Sequence, residues 1–368
     1  MKIGVLTSSR ADYGIYFPLL QSIKEDDFFQ LELIAFGTHH SKLHGHTIDN
    51  IIADNYKKIH EISVLFTDDS RQGIAKSYAL TAMKFSDFWK ENSYDLVLCL
   101  GDRFEMSAAV QAGIPFEVKF AHLHGGEATL GAIDNTYRHQ ISLASILHFT
   151  SAQVHSEKIA RLLDETKNIH NVGALSLDEI ERFQPIPKDI FYKKYGLKDA
   201  PFGLVTFHSE TISAEHNVHF AAEVKKGLSE VSKLLTLVIT MPNADTFGSV
   251  FRKAVLELKE EYPEKITLIE NFGKLNYFNA MYYASILIGN TSSGIIEAAS
   301  LKKYVINVGN RQKGRIHSSN VINVIFDSKK IYEITKQTLK FEDYKGGNVY
   351  YKNGAAKSII NILKKIKW

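Results

Sequence analysis

The chain has little of what marks several protein classes. Its 368 residues include one cysteine, Cys99. A single thiol builds neither a disulfide framework nor a thiolate metal site, and it points to a reducing cytoplasm. No apolar run approaches membrane length, and Met1-Lys2 leads directly into an apolar stretch too short for a signal peptide. The net charge is only +3, with basic residues dispersed, which argues against a nucleic-acid surface. Neither G-x-G-x-x-G nor G-x-x-x-x-G-K-[ST] occurs, so a dinucleotide fingerprint and a P-loop are both missing. Low-complexity tracts and short repeats are absent as well.

What is present is alternation. Short apolar runs at 2–7, 31–36, 95–100, 118–122, 146–150 and 169–172 alternate with helical periodicity. The same pattern returns at 203–207, 235–240, 266–269, 285–288 and 304–308. Strands alternating with helices predict parallel, doubly wound sheets, and the length suits two domains. Two prolines within 183–187 read as a linker. The division this predicts is an N-terminal Rossmann-like domain over 1–180, a C-terminal one over 181–350, and a helix within 351–368 that crosses back to the first. The fold class is α/β, with two Rossmann-like domains facing across a cleft.

The richest stretch is 101–139. An apolar strand ends in Gly101-Asp102-Arg103, and the next ends in His124-Gly125-Gly126-Glu127. Adjacent parallel strands thus bring Asp102, His122, His124 and Glu127 to one carboxyl edge, where open α/β sheets bind ligands. Asp134, Arg138 and His139 open the following helix. Asp102 as a helix cap and Gly125-Gly126 as a plain turn is the bland reading for any one residue, but capping does not call for several imidazoles and carboxylates together. The first strand ends in Ser8-Ser9-Arg10, with a polar turn to Gly14 and a helix from about Tyr16. Arg10 there suits an anion. Adjacent His39-His40 cannot easily share one metal ion and read as a polar loop.

In the second half, Gly289 to Gly294 is a phosphate-type loop. Small residues admit an anion to backbone N–H groups, and Thr291, Ser292 and Ser293 add hydroxyls. A helix reaching Leu301 is expected to follow, with Glu297 one turn in, either accepting from a ribose diol or complementing the helix dipole. Arg311, Lys313 and Arg315 form a cationic loop suited to a diphosphate. His208 ends another strand, and Asn243 and Asp245 lie in the loop after the next. The residues alone therefore imply a phosphorylated ligand and acid–base chemistry on its other part.

The ordered motifs SRADYG, GDRFE, HLHGGE, GAIDNTYRH, GNTSSGIIE and NRQKGR resemble those of the hydrolysing UDP-N-acetylglucosamine 2-epimerases, from Met1 to about Val324. The resemblance implies a GT-B-like pair of domains, a UDP-sugar substrate and a cytoplasmic enzyme needing no metal and no nicotinamide cofactor. It also implies the reaction: a base takes the C2 proton while UDP leaves C1, and water then adds to give free N-acetylmannosamine. By the same resemblance Asp102 and Asp134 match catalytic carboxylates, and Arg10 matches the arginine of the first loop. His208 matches a diphosphate-side histidine, Thr291 and Ser292 match phosphate-binding hydroxyls, Glu297 matches the ribose carboxylate, and Arg311 and Arg315 match cleft arginines. Arg103, Ser293, Asn243 and Asp245 join the substrate-binding set as neighbours of these loops.

One position departs from the pattern. Many relatives carry Glu where this chain has His124. Either His124 is an acid/base group or Glu127 supplies the carboxylate, with Glu127 preferred as the partner of Asp102. UDP-N,N'-diacetylbacillosamine is an alternative substrate for the same chemistry. A non-hydrolysing epimerase, a GT-B glycosyltransferase or a silent sugar-nucleotide binder are further alternatives. A homodimer or homotetramer is expected, without nucleic-acid or membrane partners.

Overall fold

The computed structural model describes residues 1–41, 45–64, 68, 70–178, 180, 183–212, 214–242 and 247–366. The chain divides into two units. The first comprises Met1–Glu127, Ile133–Glu181 and Tyr350–Trp368, and the second comprises Ala128–Ala132 and Arg182–Val349.

The strands of the first unit are β1 (Lys2–Thr7), β2 (Gln30–Phe36), β3 (Ile59–Ile62), β4 (Leu96–Leu100), β5 (Phe120–Leu123), β6 (Ser145–Thr150) and β7 (Ile169–Asn171). They form one sheet in the order β3-β2-β1-β4-β5-β6-β7, and each pairing is parallel. The run LVLCL of β4 is apolar throughout because both its faces are covered. Leu96 and Leu98 join Ile3, Val5 and Leu33 beneath helices Arg10–Lys24 and Ala355–Leu363. Val97 and Cys99 face Phe85, Trp89 and Met106 on the other side. Burying each such side chain contributes roughly 1.5–3 kcal/mol.

The second unit repeats the plan with β8 (Phe202–Thr206), β9 (Thr236–Thr240), β10 (Ile266–Ile269), β11 (Ile286–Gly289), β12 (Val305–Val308) and β13 (Val321–Val324). Its parallel sheet runs β10-β9-β8-β11-β12-β13. In both sheets the order reverses beside the first strand of the unit, between β1 and β4 and between β8 and β11. Those are the switch points at which doubly wound sheets bind ligands.

Three sequence readings change here. The first helix begins at Arg10, not near Tyr16, and includes Gly14 and Pro18. The reason is a reciprocal cap: Ser9 Oγ accepts from Asp12 N–H, and the buried Asp12 carboxylate takes the Ser8 and Ser9 hydroxyls at 2.6 and 2.8 Å. The helix after Gly289 stops at Ile296 rather than Leu301. The Ile296 carbonyl, which a continuing helix would bond to Ser300 N–H, instead accepts from Asn348 Nδ2 at 2.7 Å, while Ser300 N–H turns to Glu297. Finally, β3, β13 and helix Ser328–Thr338 had no counterpart in the sequence reading. Contrary to the reading that short repeats are absent, the tetrapeptide Val-Ile-Asn-Val occurs at both β12 and β13, and the copies pair in register with Asn307 Nδ2 donating to Asn323 at 2.8 Å.

Several histidines of the first unit are buried and neutral. His39 spends both ring nitrogens on the Thr7 and Thr47 hydroxyls, at 2.9 and 2.8 Å, and burial pushes its pKa down to about 3. His39 is a structural residue, buried in the 3-10 turn Gly37–His40 rather than standing in a polar loop. Burial lowers His148 to about 4 and holds His122 well below the usual imidazole range. A group whose folded pKa lies below its unfolded value binds more protons when unfolded, so stability falls as pH drops. Denaturant titrations are expected to show the first unit losing stability progressively from about pH 6.5 down towards pH 4. A midpoint independent of pH in that window would contradict the assignment.

Candidate active site

At the switch point of the first unit the strand ends carry an interlocked set of polar side chains. His122 lies within β5, fully buried. Its Nε2 donates to the Gly101 carbonyl at 2.8 Å, and Nδ1 meets Ser142 Oγ at 2.9 Å. A carbonyl only accepts, so Nε2 carries the proton and both ring nitrogens are used. His122 therefore belongs to the sheet core and ties β5 to the end of β4, rather than standing at the edge with its neighbours.

Asp102 does not cap the helix that follows it. The cap position of Phe104–Gly113 is Arg103, without a side-chain bond. Asp102 instead accepts from Arg138 Nη2, and Arg138 Nη1 donates to the His124 carbonyl at 2.8 Å. Arg138 comes from helix Asp134–Leu143 and is buried. One guanidinium thus joins the β4 loop, the β5 loop and the next helix. Arg103 gives two hydrogen bonds to the Glu105 carboxylate, at 3.1 and 2.9 Å. Glu105 is raised in pKa by burial, partly offset by Arg103.

The backbone of His124 is in the left-handed region, φ +63°, a costly conformation for a residue with a side chain. His124 Nδ1 lies 2.9 Å from Glu127 Oε1, and the same oxygen accepts from Ser151 Oγ at 2.7 Å. Gly126 is required between them: its φ is +76°, and a Cβ there would sit 2.3 Å from the His155 carbonyl oxygen. Arg10 and Asp134 each stand at the first position of a helix, both partly exposed. The structure pairs Glu127 with His124 and Asp102 with Arg138.

In the second unit the loops at the switch point are stitched together by buried amides. Asn290 follows β11, and its side chain accepts from the His208 N–H and donates to the His208 carbonyl, each at 2.8 Å. Gln312 Nε2 donates to the Asn290 carbonyl at 2.8 Å. The Glu210 carboxylate receives the Asn310 N–H, and burial raises its pKa. The His208, Asn290 and Arg311–Arg315 loops are therefore tied to one another. Thr291 caps helix Ser292–Ile296, accepting from Ser293 N–H, and the Ser293 hydroxyl donates to Glu297. Arg315 is buried and Arg311 partly so. Asn243 and Asp245 lie outside the described residues.

Sequence reasoning overlooked Arg138 as a site residue, and with it Ser151, Asn290, Glu210 and Gln312. Arg138 stood in a quoted motif and Gln312 beside two quoted arginines; Ser151 gave no signal, because its partner is 24 positions away.

Two doubly wound parallel sheets, each with its polar groups gathered at the carboxyl edge, define a protein of the GT-B-like class with paired Rossmann-like units. The chain belongs to the UDP-N-acetylglucosamine 2-epimerase family, whose model matches residues 21–364. It is 31% identical over 367 residues to polysialic acid biosynthesis protein P7 of Escherichia coli, covering 99% of this chain and 93% of that one. It is 30% identical over 367 residues to the hydrolyzing UDP-N,N'-diacetylbacillosamine 2-epimerase of Legionella pneumophila, covering 99% and 96%. In fold it is similar to UDP-GlcNAc 2-epimerase from Neisseria meningitidis bound to UDP-GlcNAc, with a TM-score of 0.83 over 100% of both chains at 17% identity.

Asn290→Ala is expected to remove both side-chain hydrogen bonds to the His208 backbone, at about 0.5–1.5 kcal/mol for each. A denaturation midpoint within error of the parent would contradict the stitching role of Asn290.

Proposed function

We propose that this protein is a hydrolysing 2-epimerase of a UDP-linked 2-acetamido sugar, with UDP-N-acetylglucosamine as substrate and free N-acetylmannosamine and UDP as products. The observation that carries this reading is the family match over nearly the whole chain, together with a hydrolysing relative aligned over 99% of it. The Legionella relative's substrate favours a second reading, UDP-N,N'-diacetylbacillosamine, which requires the same chemistry on a sugar altered at C4 and C6.

The roles are those the family resemblance implies, and charge and hydrogen-bonding capacity support them. UDP departing from C1 develops negative charge on a diphosphate oxygen. In the second unit, Arg311 and Arg315, the Thr291 and Ser292 hydroxyls and His208 are assigned to that diphosphate, and Glu297, already holding the Ser293 hydroxyl, to the ribose. The buried stitching by Asn290, Gln312 and Glu210 holds these groups in place before substrate arrives, so little reorganisation is needed as charge develops.

In the first unit, the acid–base groups are Asp102, Asp134 and the His124–Glu127 pair, with Arg10 as an anion contact. The C2 proton leaves, the C2–H pair becomes the C1=C2 bond, and the C1–O pair departs with UDP. Water then supplies a hydroxyl to C1 and a proton to C2. Inversion at C2 demands that the proton depart and return on opposite faces of the ring, so at least two acid–base groups are needed.

The test is incubation with each nucleotide sugar in deuterated water, followed by NMR. UDP release with deuterium at C2 of a freed 2-acetamido-mannose sugar is the expected result, and the faster substrate identifies the sugar. Epimerised sugar still attached to UDP, or no UDP release from either substrate, would overturn the reading. Arg311→Ala is expected to slow UDP release by about 10²-fold or more, and unchanged kcat and KM would remove that residue from the diphosphate site.

A further inference from the structure

We infer that His124 is the group that accepts the C2 proton, at Nε2, and that Glu127 and Ser151 are positioning residues that fix its tautomer and orientation. This deepens the epimerase reading and rests on it.

An ionised carboxylate accepts and cannot donate, so the 2.9 Å contact with Glu127 Oε1 places the proton of neutral His124 on Nδ1. The lone pair is then on Nε2. That atom is buried and has no hydrogen-bond partner among the described residues. His39 and His122, structural histidines of the same unit, each spend both nitrogens. His40 and His148 also keep one ring nitrogen unpartnered, but neither has the left-handed backbone of His124. An unsatisfied buried polar atom costs about 1–3 kcal/mol, and a left-handed φ on a side-chain-bearing residue costs about as much. His124 carries both costs.

The supporting shell is equally specific. Ser151 Oγ donates to Glu127 Oε1 at 2.7 Å and lies 3.0 Å from His155 Nδ1. Because the serine proton points to Glu127, His155 must donate to the serine oxygen, which fixes that tautomer too. A line of buried groups, His155 to Ser151 to Glu127 to His124, thus presents one imidazole nitrogen in a set orientation. Arg138 grips the His124 carbonyl and fixes its backbone. Asp102, by contrast, has Oδ2 committed to Arg138, which makes it the poorer acceptor for a carbon-bound proton and suits it to the opposite face or to holding Arg138.

The step balances as follows. The Nε2 lone pair takes the C2 proton, the C2–H electrons form the C1=C2 bond, and the C1–O electrons leave with UDP. The imidazolium then passes its proton to solvent or to the departing phosphate. The proton that returns to C2 comes from another group on the far face.

The test uses the whole chain. His124→Gln is expected to lower UDP release by about 10²–10⁴-fold while binding UDP as tightly as the parent. Ser151→Ala is expected to reduce kcat at unchanged KM, since it loosens the base and not the substrate. Independently of turnover, nitrogen-15 spectra of histidine-labelled protein, with His124 assigned by its loss in His124→Gln, are expected to show the Nδ1–H tautomer, and Glu127→Gln to disturb it. An Nε2–H tautomer, His124→Gln within threefold of the parent, or Ser151→Ala changing KM alone would overturn the inference. If the parent itself releases no UDP, the epimerase reading fails separately, and the tautomer still decides whether the His124 arrangement is as described.

Discussion

The first unit depends on one buried guanidinium. Arg138 reaches from its helix to the Asp102 carboxylate and to the His124 carbonyl. It therefore fixes two loops that follow adjacent strands and that are separated by a whole crossover helix in sequence. A buried ion pair is a poor source of net stability, because desolvation cancels much of the attraction. What it does supply is register: removing Asp102 takes a carboxylate away from the buried Arg138 guanidinium, so alternative loop arrangements are penalised. The second unit reaches the same end with neutral groups, where Asn290 and Gln312 stitch three loops through backbone atoms.

Under the proposed function the two solutions suit different chemistry. A loop set meant to receive a diphosphate benefits from neutral stitching, because its guanidinium groups then need not be spent internally. A loop set meant to move a proton benefits from a fixed positive charge beside it and from a carboxylate that orders an imidazole. The strand-order reversal in each sheet puts these sets at the carboxyl edge, so topology decides where they lie and local hydrogen bonding decides what they can do.

Much of this was legible in the sequence. Continuous apolar runs such as Leu96 to Leu100 announce strands covered on both faces, and Gly-Asp-Arg after such a run announces a strand-end loop. The family resemblance nominated site residues in both units, and the structure places Asp102, His124 and Glu127 among interlocked side chains at one carboxyl edge. Less visible were short edge elements. β3 is half-buried and reads Ile-His-Glu-Ile, so its pattern is weak, and β13 was overlooked although it repeats β12. The helix at Ser292 stops early because a distant Asn348 takes its carbonyl, and no local signal encodes that. The start at Arg10 was encoded, in the Ser9 to Asp12 cap, but Gly14 suggested a turn. Pairings were the least legible: a sequence shows that Glu127, His124 and Asp102 are near one another, but not which carboxylate meets which cation.

The left-handed backbone at His124 has an evolutionary corollary. Glycine and asparagine enter that conformation most cheaply, yet neither can hold a titrating proton. A chain that kept the conformation and relaxed to Asn at this position would gain stability and lose its proton acceptor. Asn or Gly at this position would therefore relieve backbone strain and keep the fold at the expense of turnover.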